Sequence, residues 1–245
     1  MLKLNESKTE VMFFSSKQCF QRIDGLTLNI GATIIAPKPS VRNLGVCWDT
    51  HFTMATQVKA ISKSCNYQLR NISRIRHYIT EDACRTLVNA LVTSRLDYGN
   101  VLLHGASSSV ISQLQRVQNS AARIITRTPK SSHITPVLQH LHWLPVDQRI
   151  RFKVLLHAYK AMNDLSPAYI QDLLDEYVPP RPLRSASKSL LCVPKYKTMT
   201  FGNRCFKNSA PALWNALPQN GKCAETVAIF KRRLKTHLFK LVYVT

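Results

Sequence analysis

Between residues 133 and 147 the chain reads HITPVLQHLHWLPVD, which brings His133, His140, His142 and Asp147 close together in sequence. Imidazole and carboxylate are the usual ligands of zinc and related ions. On a strand, His140 and His142 would face the same way and Asp147 could add a third ligand, whereas on a helix the two rings diverge. A metal centre needs three or four converging ligands with hydrogen-bonded support behind them. Trp143 offers these histidines an apolar surface instead, so the expectation is packing and no metal. Other chemistries leave fewer traces. The phosphate loops Gly-x-Gly-x-x-Gly and Gly-x-x-x-x-Gly-Lys, the nucleophile elbow Gly-x-Ser-x-Gly, His-Glu-x-x-His and Cys-x-x-Cys are all absent from the sequence. Glu81 and Asp82, behind Thr80, fit the first turn of a helix. Asp172, Asp175 and Glu176 fit a solvated face, and no two aspartates are adjacent.

Positive charge is the dominant feature. Lys and Arg number 34 against 13 acids, a net charge of +21 over 245 residues. Such an excess repels itself in a compact fold and is usually offset by a polyanion, nucleic acid first and an anionic membrane second. The charge is also segregated, since no acid lies between Asp49 and Glu81, between Asp97 and Asp147, or between Glu176 and Glu225. These windows hold Lys59, Lys63, Arg70, Arg74 and Arg76; then Arg116, Arg123, Arg127 and Lys130; then Arg181, Arg184, Lys188, Lys195, Lys197, Arg204, Lys207 and Lys222. Arg116, Arg123 and Arg127 step by seven and four and so share one helix face. Three such windows together favour a phosphate-binding surface over a merely solvated one. Tyr78, Trp143, Tyr196, Phe201 and Phe206, interleaved with the charges, could stack on unpaired bases.

The elements that carry these residues fall into three stretches. Residues 1–50 read as β: an apolar run at Val11–Ser15, a hairpin of Leu26–Ile30 and Thr33–Ala36 about Gly31-Ala32, and a strand from Val41 to Trp48 in which Gly45 marks a bulge or a close approach of another backbone. Residues 51–178 turn to a spacing of three and four. Met54, Val58, Ile61, Cys65, Leu69 and Ile72 form one helical face, and Leu87, Val88, Leu91 and Val92 lie on the helix capped by Thr80. A third helix follows Ser107–Ser109, with Ile111, Leu114, Val117, Ala121 and Ile124 inward and Pro129 past its end. A fourth spans Val146–Met162, and a short one follows Pro167. Residues 179–245 form a basic region, with two strands near Leu190–Val193 and Met199–Phe206 and closing helices at Ala210–Leu217 and Glu225–Phe239. The expected class is therefore α+β, mainly α: a small N-terminal antiparallel β unit, a helical body and a basic C-terminal region. No run of about 18 apolar residues exists to span a bilayer. The seven widely spaced cysteines read as reduced thiols of an intracellular protein, nuclear or cytoplasmic.

Several blocks occur in a telling order: LNESKTEVMFF, VRNLGVCWDTHFTM, SRLDYGNVLLHG, LQRVQNSAARIIT, HITPVLQHLHWLPVDQRIRFKVLLHAYKAMN, SPAYIQDLL, LRSASKSLLCVP, FGNRCFKNSAPALWNALP and FKRRLKTHLF. Together they resemble the C-terminal part of the reverse transcriptase of non-LTR, LINE-type retrotransposons of the Jockey-like group, over essentially the whole chain. The resemblance implies that Leu4, Asn5, Lys8, Thr9 and Glu10 match a late palm motif, with Lys8 a vestigial palm lysine. It implies that Asn43, Leu44, Gly45 and Val46 correspond to the primer grip, and that residues 51–178 are thumb-like. The palm aspartates that hold the divalent metal, such as Mg2+, in the full-length family would lie before Met1. The chain is then expected to be a fragment with no cofactor and no polymerase activity of its own. Its expected partners are RNA and DNA, bound without sequence preference, and no membrane. The alternative is a decayed transposon-derived reading frame or a protein-interaction remnant.

Overall fold

The computed structural model describes residues 5, 8–16, 18–20, 25–31, 33–179, 189–198 and 201–244. Two antiparallel hairpins come first. Strands β1 (Leu28–Ile30) and β2 (Thr33–Ile35) pair about Gly31, as the sequence leads one to expect. The Val41–Trp48 stretch is not one bulged strand. It is a second hairpin of β3 (Ser40–Asn43) and β4 (Val46–Asp49), with Asn43 opposite Val46. Leu44 and Gly45 form the two-residue turn, with φ of 47° and 80°. Positive φ at both central positions defines a type I′ turn, whose twist matches that of the strands it joins. The Tyr98 hydroxyl donates to the Leu44 carbonyl at 2.6 Å and fixes this turn to the helical body. Val11–Ser15 is likewise not a strand. Its Val11 carbonyl accepts the Lys38 N–H and its Ser15 N–H donates to the Thr50 carbonyl, too few bonds to make a ladder.

The Asp49 carboxylate ends β4 and opens the first helix, accepting the N–H groups of Thr53 (2.8 Å) and Met54 (2.6 Å). Helix α1 (Ala55–Ile75) buries Val58, Cys65, Leu69 and Ile72, the face its spacing indicates. Helix α2 (Glu81–Val88) starts where Thr80 Oγ1 accepts the Ala83 N–H. It continues without a break through a π-helical turn, Asn89–Thr93, into α3 (Ser94–Asp97). The π turn has a readable cause. Cys84, Val88, Val92 and Leu96 are all buried at a strict spacing of four. A regular α-helix would carry the last of these about 120° away from the first. A wider turn in the middle returns all four to the core.

Helix α4 (Ser108–Thr126) packs along α1 and turns Val110, Leu114, Val117, Ala121 and Ile125 inward. Ile111 and Ile124, expected on that face, are half-buried at its flank. The face is rotated because α4 is covered by α1, α2 and the later helix α6 from more than one side. Helix α5 (Thr135–His140) follows, and α6 (Val146–Met162) has the limits its sequence implies. Short α7 (Ala168–Gln171) leads to an irregular stretch. Then come α8 (Phe206–Asn215), α9 (Gln219–Lys222) and α10 (Val227–Tyr243). Neither expected C-terminal strand forms among the described residues. Leu191 makes a single bridge to Glu176, and its backbone is completed by the Asn215 side chain, which accepts the Leu191 N–H (2.9 Å) and donates to its carbonyl (2.8 Å). Phe206, expected at a strand end, begins α8.

The fold is mainly α with a small β unit. One apolar core joins β4, α1–α4 and the first two turns of α6 through Val146 and Ile150. A second joins the remainder of α6 to α8 and α10, where Tyr159 stacks on Phe230 at 4.2 Å and donates to the Ala224 carbonyl at 2.7 Å. No helix among the described residues is long and apolar enough to cross a membrane.

Candidate nucleic-acid interface

Helices α1 and α4 end side by side, so two negative dipole ends lie together. An arginine from each helix end serves the end of the other. Arg76, just past α1, donates to the α4 carbonyls of Ile124 (2.8 Å) and Ile125 (2.7 Å) and to Ile79 (2.9 Å). Arg127 stops α4 in a left-handed conformation, φ 55°, and donates back to the Arg76 carbonyl at 3.0 Å. Arg76 is only 8% exposed, so its charge serves the fold.

Above this junction lies a groove of about 840 Å³. Arg70 lines it from α1; Arg116, Arg123 and Arg127 line it from α4, with Lys130 at its end. Among the described residues no acidic side chain lines it. Between the cations stand short neutral hydrogen-bonding groups, Asn66 and Ser73 on one wall and Asn119 and Ser120 on the other. The α1 wall continues a single stripe, because Lys59, Lys63, Asn66, Arg70 and Ser73 step by four and three. Lys59, Lys63, Arg70, Arg116, Arg127 and Lys130 are exposed. Arg123 is half-buried, and its Nη1 donates to the Pro129 and Ser132 carbonyls at 2.9 and 3.0 Å, holding the loop beyond α4. The groove therefore combines free-standing cations with three guanidinium groups, of Arg76, Arg123 and Arg127, already fixed by backbone carbonyls.

The remaining sequence-derived candidates do not join it. Lys8 is exposed in the N-terminal segment, its N–H held by Asn5. Asn43, Leu44, Gly45 and Val46 surround the tight turn of the second hairpin. Lys195 and Lys197 are exposed in the irregular stretch, while Arg181, Arg184 and Lys188 lie outside the described residues. Arg204 is a structural residue. Its guanidinium sits 4.8 Å over the Phe52 ring and donates to the carbonyls of Phe52 (2.6 Å), His104 (3.0 Å) and Leu102 (3.4 Å). Burial pulls its pKa down, partly opposed by Asp49. This arginine ties the C-terminal region to the Phe52 loop and to the helical body at Leu102 and His104, so it is not available to a phosphate in the way its sequence window suggests.

The aromatic candidates divide as well. Tyr78 (88% exposed) and Tyr196 stand in solvent, whereas Trp143 and Phe206 pack against the two cores and Phe201 lies 6.4 Å from Phe52. Among the described residues no three His, Cys, Asp or Glu side chains come together as a metal-ligand set. His142 instead lies 5.6 Å from the Phe239 ring. Sequence reasoning overlooked the basic side chains of α10, although the run FKRRLKTHLFK carries no acid. It also overlooked Asp97, which receives a two-pronged contact from Arg149 and joins α3 to α6. Comparison of the chain with family models, with curated proteins and with solved structures gave no match.

Proposed function

We propose that this chain binds RNA and DNA through the sugar–phosphate backbone, as the palm-end and thumb portion of a LINE-type reverse transcriptase would. The observation that carries the reading is the acid-free groove between α1 and α4, where cations from both walls face one space. Backbone phosphates are the natural partner of such a surface, because each neutralised phosphate releases condensed counterions. Asn66, Ser73, Asn119 and Ser120 can donate to phosphate oxygens between the cations. Contacts of this kind set register and orientation and carry no base information. The sequence holds no adjacent aspartates to clamp two metal ions, and the proposed role is binding, without nucleotidyl transfer.

The test replaces Arg70 and Arg116 with Gln in one chain. These two are preferred to Arg123 and Arg127, whose carbonyl bonds also hold the fold. Affinity for random-sequence RNA and DNA oligonucleotides is measured across a salt series. The expected result is weaker binding to every sequence, with the slope of log affinity against log salt reduced by about 0.7 to 0.9 for each phosphate left unneutralised. An unchanged slope with helix content intact would show that the groove is only a solvated face.

A further inference from the structure

We infer that the cleft between α9 and α10 is a second phosphate-binding site, separate from the α1–α4 groove. Helix α10 buries Phe230, Leu234 and Leu238 against α6 and α8. Beside that apolar stripe, Arg233, His237 and Lys240 follow at steps of four and three, with Arg232 adjacent. All four line a cleft of about 350 Å³, opposite Asn220 and Gly221 of α9. Among the described residues no carboxylate lines it. Arg233 is anchored before any ligand arrives, since its Nη1 donates to the Asn220 carbonyl at 2.8 Å. A guanidinium held this way loses less side-chain freedom on binding an anion. Arg232 and Lys240 remain exposed at the mouth. Gly221 leaves the opposite wall open, because a Cβ built there meets nothing within 4 Å. The chemistry recognised is a phosphate group, and the size suits one phosphate with its sugar. The inference rests on the nucleic-acid reading only for the source of that phosphate, either a strand already engaged by the α1–α4 groove or free phosphate.

A charge-matched pair of variants tests it in the full chain. Lys240→Glu reverses a charge inside the cleft, and Lys235→Glu reverses another exposed one on the same helix outside it. Binding of a labelled single strand, about 20 nucleotides long, is followed across a salt series. The site predicts that Lys240→Glu weakens binding at least about threefold more than Lys235→Glu, with a slope lower by about 0.7. Gly221→Trp, which fills the cleft and alters no charge, should weaken binding as well. Combined with the Arg70 and Arg116 replacements, the losses should add, as expected for separate sites. If the strand ignores Lys240→Glu but inorganic phosphate raises the melting temperature of the wild-type chain and not of that variant, the site stands with free phosphate as its ligand. Equal effects of Lys240→Glu and Lys235→Glu on the strand, with no phosphate-dependent stabilisation, would overturn the inference and leave the groove reading untouched. Failure of the wild-type chain to bind any strand would overturn the groove reading instead, and inorganic phosphate would then decide the cleft alone.

Discussion

Arg76 and Arg127 look, in sequence, like two more cations of a basic window. In the fold they hold two helix ends together, and nothing in residue type or spacing separates them from Arg70 or Arg116. What differs is depth and the presence of unpaired carbonyls within reach, both properties of tertiary packing. Replacing Arg76 with Ala strands three carbonyls and should destabilise the chain by about 3 kcal/mol, read from the denaturant midpoint. Arg76→Lys should recover little of this, because one ammonium cannot reproduce a planar fork with several fixed donors. A second residue-scale expectation concerns Cys65, fully buried, whose thiol burial pushes up to about 11 from 9.0 against the opposing charge of Arg95. The unfolded thiol ionises first as pH rises, so the stabilisation is complete below pH 9 and is lost between about pH 9 and 11. The wild-type chain should therefore lose about 2 to 3 kcal/mol more over that range than Cys65→Ala. Equal alkaline losses in the two proteins would contradict it.

Elements with a clean period were legible. The stripe from Val58 to Ile72 predicts α1, and Pro145 with the pattern after it gives α6 its limits, because burial of one face is a local, periodic demand. The second hairpin was not legible, since an exposed leucine before Gly45 disguises a type I′ turn that usually carries Asn-Gly. Leu44 is 84% exposed and held at positive φ, a conformation that leucine adopts at a cost and asparagine tolerates. Leu44→Asn should therefore stabilise the protein by about 0.5 to 1 kcal/mol, visible as a higher melting temperature. A loss of stability would mean that the leucine side chain makes a contact worth more than its strain. The two expected C-terminal strands are missing among the described residues for a different reason. A short apolar run has no strand character without a partner strand, and beyond its single bridge to Glu176 the backbone of Leu191 is held by an asparagine side chain.

At the scale of the molecule, charge and core pull apart. The composition pointed to a polyanion partner, and the groove and cleft show how the charge is arranged. Composition said nothing of the two apolar cores that α6 threads. The sequence divisions near residues 50 and 178 follow changes in local pattern. The packing crosses both, through Val46 and Trp48 at the first and through the contacts of α6 with α8 and α10 at the second. A folded chain of +21 carries its repulsion throughout. Screening should relieve it, so adding salt from low ionic strength to about 0.2 M should raise the melting temperature. A polyanion such as heparin should raise it further by binding the folded state, with an effect that fades as salt increases. A melting temperature indifferent to both would argue that local ion pairs already balance the surface.

The wide turn at Asn89–Thr93 has a consequence for how this segment tolerates length change. Loss of a single codon inside a packed helix normally turns every later side chain by about 100° and ruins the core. Here the segment carries one residue more than an α-helix needs. Removing the exposed Ala90 would shorten the steps from Cys84 through Val88 and Val92 to Leu96 to four, three and four, the ordinary stripe of a regular helix. A chain lacking Ala90 should therefore fold with its helix content and cooperative melting preserved. A chain lacking Ala121, deep in the regular helix α4, should not. The π turn thus gives this rod a place where a residue can be lost without displacing the side chains beyond it.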